Sequence, residues 1–80
     1  MSTNEQRIAS NPAICGGQPH IRGTRVPVHV LLGFLAAGDS IEEILREYPQ
    51  LERADVLAAL AFAARLAREE IEPLTDTHAA

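Results

Sequence analysis

The chain has 80 residues, one cysteine, and a formal net charge of −4 at pH 7, with 11 acidic residues against 7 basic residues. The single cysteine excludes an internal disulfide, and three scattered histidines give no zinc-ligand spacing, so we expect no metal and no cofactor. The acidic balance argues against a protein held on nucleic acid by bulk charge, and no run approaches the roughly 18 apolar residues of a membrane span.

The N-terminal part is predicted to carry a small β-hairpin element over residues 8–28. Residues 1–7 are polar and are expected to fray, and the lack of an apolar h-region beside a free cysteine favours the cytoplasm. The segments "QPHI" and "TRVPV" are predicted as strands joined at Arg22-Gly23, because glycine adopts positive φ without steric cost. "RIAS" is a further short-strand candidate. Pro19 and Pro27 cannot donate to a ladder, so these strands must be short or at an edge.

Two short helices are predicted next. "VHVLLGFLAAG" is apolar nearly all round, which indicates a short buried helix that begins at Val28 and stops at Gly38, with His29 half-buried in it. In "DSIEEILREYP", Ser40 and Glu43 have the spacing of a capping box, and a proline follows the helix. The apolar positions of this second helix recur on one face: Ile41, Ile44, Leu45 and Tyr48.

The third helix is predicted over residues 52–71 and has more apolar surface than one core requires. Val56, Leu57, Leu60 and Ile71 share one side, whereas Phe62 and Leu66 lie more than about 100° away, and a single core needs a stripe of only about that width. A chain this small buries only about 60–65% of its unfolded surface, so a second copy is the simplest cover and we predict a homodimer. The candidate interface residues are Val56, Leu60, Phe62, Ala63, Leu66 and Ala67. Arg65, Arg68 and Glu69 are expected on the solvent side, and residues 74–80 are expected to be disordered.

The order of the second and third helices is typical of a helix-turn-helix. In the DNA-binding version, the first turn of the later helix enters the major groove. Here that turn offers Glu52, Arg53 and Asp55, of which only Arg53 could read a guanine edge. A trihelical packing unit that touches no DNA is an equally good interpretation of these residues.

Arg22 and Arg25 flank the predicted turn and are the other candidate contact residues. A positively charged ribbon could meet phosphate, as in DNA, or the carboxylates of a protein partner. The alternative is that both arginines are solvated on an edge strand, where charge discourages aggregation. Cys15 and His20 lack a third group that would make them a catalytic set, so we expect no enzyme, no catalytic residue and no small-molecule substrate.

The stretch "ICGGQPHIRGTRVPVHVLLGFLAAGDSIEEILREYPQLERADVLAALAFAAR" resembles the domain-of-unknown-function family 433, DUF433, over roughly residues 14–66. The family's first element, Gly-x-Pro-x-Ile/Val-x-Gly-Thr-Arg-Ile/Val-Pro-Val, is matched from Gly17 to Val28. Its Tyr-Pro-x-Leu corner is matched at Tyr48, Pro49 and Leu51. The family often has Thr or Ser where this chain has Glu52.

The resemblance implies a small, dimeric, VapB-type antitoxin-like regulator. The residues themselves predict a mainly α fold in one domain, residues 1–80, with a small N-terminal β-hairpin over 8–28 and a helix-turn-helix-like three-helix unit over 28–71, which the resemblance classes as homeodomain-like. The expected partners are a PIN-like ribonuclease toxin, a second copy of the chain and operator DNA. Two alternatives stay open: a dimeric transcriptional regulator without a toxin, and an interaction module that does not bind DNA.

Overall fold

The computed structural model describes residues 4–70, in which three helices follow a small two-stranded antiparallel sheet. The strands are β1 (Ile8–Ala9) and β2 (His20–Ile21), and the helices are α1 (Val28–Ala36), α2 (Ile41–Glu47) and α3 (Arg53–Glu70). Short 3-10 helices occupy Asn4–Arg7 and Cys15–Gly17. The predicted fold class, mainly α with a small N-terminal hairpin, is confirmed. The predicted disordered tail lies outside the described residues.

The strand pairing confirms the expected one only in part. β2 forms its two-residue ladder with β1, with Ile8 opposite Ile21 and Ala9 opposite His20, which was not predicted. The segment after Arg22-Gly23 does meet β2 as predicted, through an antiparallel bridge between His20 and Pro27, in which the Ile21 N–H donates to the Val26 carbonyl and the Val28 N–H donates to the Pro19 carbonyl. Two hydrogen bonds explain why it does not run as a strand: the Thr24 hydroxyl donates to the Ile21 carbonyl at 2.8 Å and accepts from the Val26 N–H at 3.0 Å. The chain therefore bends inside "GTRV" where an extended strand was predicted.

The N-terminal residues are better ordered than their polarity predicted. Residues 4–7 form a 3-10 helix that leads directly into β1, and its C-terminal residue, Arg7, contacts the start of α3. The predicted fraying of residues 1–7 is therefore wrong for residues 4–7. A long-range ion pair supplies the order that no local pattern indicated.

The predicted boundaries of α1 and α2 are confirmed. α1 ends just before Gly38, which has a φ of +100°, in the left-handed region that favours glycine. α2 begins with the predicted capping box: the Glu43 N–H donates to the Ser40 hydroxyl at 3.1 Å, and the Ser40 N–H donates to the Glu43 carboxylate at 2.7 Å. Phe34 of α1 meets Tyr48 edge to face, with ring centroids 6.0 Å apart.

The core is small and lies where β2, the turn after it and the three helices meet. Its buried residues are Ile21, Val26, Val28, Leu31, Ile44, Leu51, Val56 and Ala59. On α1 only Val28 and Leu31 are buried, so this helix is less enclosed than predicted. His29 is exposed, and its predicted half-buried position is wrong.

α3 buries a face of small residues and leaves two leucines outside. Val56, Ala58 and Ala59 are at most 1% exposed, whereas Leu57 and Leu60 are 43% and 40% exposed. Arg65, which was expected in solvent, is half-buried with its guanidinium 5.3 Å from the centre of the Phe62 ring. Within residues 4–70, no helix combines the length and the apolar character needed to cross a bilayer.

The capping box makes a direct prediction about stability. Ser40→Ala removes the acceptor for the Glu43 N–H, and we expect it to lower the free energy of unfolding by about 1 kcal/mol. Urea denaturation followed by circular dichroism at one fixed protein concentration measures the change. Ser10→Ala, at an exposed serine outside the helices, is the matched control and should be neutral. Equal stability of the two variants would contradict the role of the cap.

Candidate functional site

A polar depression beside the turn that follows β2 is the first candidate site. We call it the arginine groove. It has a volume of about 620 Å³, and its lining residues are Arg7, Arg22, Gly23, Thr24, Arg25, Gln50, Glu52 and Asp55. Three separate segments supply these residues: the end of the N-terminal 3-10 helix, the turn at residues 22–25, and residues 50–55, which lead into and begin α3. The fold thus gathers three arginines of an acidic chain at one place.

One wall of the arginine groove is held by Asp55, a carboxylate that is only 7% exposed. One oxygen accepts from the Arg7 guanidinium at 2.8 Å, and the other accepts from the Glu52 backbone N–H at 2.8 Å. The second bond caps α3, because the first amides of a helix have no partner inside the helix. Arg7 also contacts the Glu52 carboxylate at 3.2 Å. Hydrogen bonding to Asp55 raises the pKa of the Arg7 guanidinium above its ordinary value, so this cation stays charged.

The two predicted turn arginines, Arg22 and Arg25, both line the arginine groove, but only one has a side chain free to bind a partner. The Arg22 guanidinium donates to the backbone carbonyls of Gln6 at 2.5 Å and Ile8 at 3.4 Å, and so holds the turn against β1. Arg25 is exposed, and its side chain forms no hydrogen bond or ion pair with any residue in the described range 4–70. Arg25 is therefore the arginine of the groove that can bind a partner without breaking an existing contact.

Arg53, the third predicted contact residue, lies outside the arginine groove. Its guanidinium pairs with the Glu42 carboxylate of α2 at 3.0 Å, with both side chains well exposed. A hydrogen bond from the Glu42 backbone N–H, and then one from the Arg53 side chain, lower the pKa of the Glu42 carboxyl. To contact a base, Arg53 would have to break its ion pair with Glu42. Two further carboxylates, Glu52 and Asp55, lie in the same turn of the chain. The first turn of α3 is thus a poor match for phosphate.

The six predicted interface residues are divided among three places. Val56 is completely buried in the core and has no surface to offer a partner, because it packs within its own chain. Phe62, Ala63 and Leu66 are half-buried and line an apolar groove of about 470 Å³ beside α1. Leu60 and Ala67 are exposed on another side of α3. The other residues of the apolar groove are Gln18, Pro19, Val28, His29 and Leu32.

Cys15 and His20 do not form a catalytic pair. The Cys15 thiol donates to the Arg25 carbonyl at 3.4 Å, and His20 is 2% exposed with its Nδ1 3.2 Å from the Gln18 carbonyl oxygen. Each side chain therefore contacts backbone of the turn region. The Cys15 contact holds the loop that carries Arg25, and the His20 contact holds the segment that leads into β2.

Sequence reasoning missed Arg7 and Asp55. Asp55 carried a signal: it stands three residues after Glu52, the spacing at which an acidic side chain returns to the first amide of a helix. No sequence pattern indicated a role for Arg7, because its partner Asp55 is 48 residues away along the chain.

Three comparisons relate the chain to known proteins. The family described as "Protein of unknown function (DUF433)" matches residues 8–63. "Uncharacterized protein y4eO" of Sinorhizobium fredii is 41% identical over 56 residues, which are 70% of this chain and 25% of that protein. The crystal structure of a DUF433 member protein from Anabaena variabilis is 35% identical, with a TM-score of 0.73 over 79% of this chain and 62% of that one. The chain thus spans about a quarter of its curated relative's length and less than two thirds of the solved structure.

The two hydrogen bonds of the buried Asp55 carboxylate predict a loss of stability that removal of an exposed carboxylate would not cause. Asp55→Ala removes a charged hydrogen bond and a helix cap, and we expect it to lower the free energy of unfolding by about 2–3 kcal/mol. Glu47→Ala removes an exposed carboxylate of α2 and should change it by less than about 0.5 kcal/mol. Chemical denaturation of both variants at equal concentration measures the difference. A loss for Asp55→Ala no larger than for Glu47→Ala would contradict the assignment.

Proposed function

The chain belongs to the DUF433 family, and from this premise we propose that it is an antitoxin-like regulatory protein that binds and neutralises a PIN-like ribonuclease. The proposal rests on one observation above the others: Arg25 is exposed beside Arg7 and Arg22 and has no side-chain partner within residues 4–70. It acts by binding and not by catalysis.

The chemistry of the arginine groove suits an acidic partner site. The active site of a PIN-type ribonuclease is a cluster of carboxylates that holds Mg²⁺, and a guanidinium offers a planar pair of donors to a carboxylate. Arg25 lies on a turn whose path is held by Thr24 and by the Arg22 bonds to the N-terminal backbone. A pre-organised turn loses less conformational entropy on binding than a free tail does. Insertion of Arg25 among such carboxylates would both occlude the site and neutralise its charge.

The positions of the charged side chains favour a protein partner over operator DNA. The first turn of α3 carries Glu52 and Asp55, and its Arg53 is paired with Glu42. Carboxylates at this position repel phosphate, and the chain as a whole carries a charge of −4. We therefore assign regulation to protein binding, with the arginine groove as the contact surface.

Arg25→Ala tests the proposal directly. A PIN-like ribonuclease is titrated with the full chain, and cleavage of a fluorescent RNA is measured with Mg²⁺ present. Truncation of one member of a desolvated charge pair costs about 2 kcal/mol or more, so we expect inhibition to weaken by about 30-fold or more. Arg46→Ala removes an exposed arginine of α2 outside the arginine groove, with the same charge change, and should inhibit like the parent protein.

Two results would contradict the proposal. One is failure of the parent protein to bind or inhibit the ribonuclease at micromolar concentration. The other is equal inhibition by Arg25→Ala and Arg46→Ala. A gel shift with the upstream DNA resolves the alternative: retention with a steep salt dependence that Arg53→Ala abolishes would indicate a transcriptional regulator instead.

A further inference from the structure

Most polar side chains of the arginine groove are already bonded within the chain. Arg7 holds the Asp55 and Glu52 carboxylates at 2.8 Å and 3.2 Å. The Arg22 guanidinium donates to two backbone carbonyls, and the Thr24 hydroxyl donates to one carbonyl and accepts from one backbone N–H. These contacts build the walls of the groove, so a ligand that displaced them would break contacts of the fold.

Two polar side chains that line the arginine groove remain unbonded, those of Arg25 and Gln50. Both residues are exposed, and neither side chain forms a hydrogen bond or an ion pair with any residue in the described range 4–70. Arg25 comes from the turn after β2 and Gln50 from the segment before α3, so the fold brings them to one depression from distant parts of the sequence. A guanidinium only donates hydrogen bonds, whereas a carboxamide both donates and accepts them. The pair therefore suits a ligand in which a negative charge lies beside a neutral polar group.

The charge of the arginine groove limits the kind of anion that it can take. Three guanidinium groups and two carboxylates line it, which gives a net charge of +1. The two carboxylates balance Arg7 and Arg22, so the charge of Arg25 is the excess. One side-chain carboxylate matches this excess, whereas a phosphate dianion or a run of nucleic-acid phosphates would bring further negative charge next to Glu52.

We propose that the arginine groove binds a single aspartate or glutamate side chain of a protein partner, with Arg25 on the carboxylate and Gln50 on the adjacent peptide group. The inference rests on the proposed function for the identity of that partner, and it adds Gln50 as a second contact residue. A guanidinium binds a carboxylate through two parallel hydrogen bonds, and a carboxamide can accept from a peptide N–H and donate to a peptide C=O. Peptide groups are free for such bonds in an extended segment and not inside a helix, so the groove selects an acidic residue in an extended segment.

Titration of the isotope-labelled full chain with small compounds tests the site without the ribonuclease. The probe is N-acetyl-aspartate amide, which carries one carboxylate between two peptide groups, and N-acetyl-asparagine amide is its neutral match. We expect the aspartate compound to shift the side-chain NMR signals of Arg25 and Gln50 with a dissociation constant in the millimolar range. The asparagine compound should bind about 10-fold more weakly, because it lacks the charged hydrogen bonds to Arg25.

Gln50→Ala tests the second contact residue. It removes one neutral hydrogen-bonding group, so we expect the aspartate compound to bind about 3–10-fold more weakly. Gln18→Ala removes an exposed glutamine outside the arginine groove and should bind the compound like the parent protein. Circular dichroism confirms that both variants fold.

Glu52→Gln tests the charge balance, with inorganic phosphate as the probe. It raises the net charge of the arginine groove by one, and we expect phosphate to bind about 5-fold more tightly than to the parent protein. Glu47→Gln makes the same change at an exposed residue of α2 outside the groove and should leave phosphate binding as it is in the parent.

Three outcomes would overturn the inference. The first is equal binding of the aspartate and asparagine compounds, and the second is equal binding of the aspartate compound by Gln50→Ala and Gln18→Ala. The third is tighter binding of phosphate than of the aspartate compound by the parent protein, which would assign the groove to nucleic acid. If the aspartate compound binds as expected but the chain does not inhibit the ribonuclease, the proposed function fails and the carboxylate site stands.

Discussion

The buried carboxylate of Asp55 is the interaction on which the arrangement of the chain depends. It caps α3 through the Glu52 N–H and binds Arg7, which ends the N-terminal 3-10 helix. β1 follows Arg7 directly, so the same contact positions the strand with which β2 pairs. The turn after β2 then carries Arg25. A buried charge without its partners would be costly, so these contacts must be satisfied together for the fold to be stable.

The dependence also explains why the candidate site forms at this corner. Arg22 is pinned by carbonyls of the segment that Arg7 anchors, and it holds the turn close to the start of α3. Without the contact between Arg7 and Asp55, the turn would keep its internal hydrogen bonds at Thr24 but would have no fixed position relative to α3. The arginine groove is thus a product of long-range pairing between the N-terminal segment and α3, and not of the turn alone.

The local features of the fold were predictable, and the long-range ones were not. The Ser40 cap and the Gly38 stop follow from residues within a few positions of each other, where composition determines backbone conformation directly. The contact of β2 with the segment after the glycine turn was predicted, but its ladder with β1 was not, because β1 lies further away along the chain and carries a weaker pattern. Of the candidate site, the turn arginines were identified from sequence. Their neighbour Arg7 was missed, since an arginine in a polar segment gives no sign of a carboxylate 48 residues away.

The choice of buried face on α3 follows from Asp55. The helix turns small side chains and Asp55 inward and leaves Leu57 and Leu60 outward. Fully burying one leucine contributes about 1.5–3 kcal/mol, so turning Leu57 and Leu60 further inward would by itself stabilise the chain. Rotation of α3 to do so would expose Asp55 and break its bonds to Arg7 and to the helix start. The ion pair therefore sets the rotation of α3, and that rotation leaves the two leucines partly exposed.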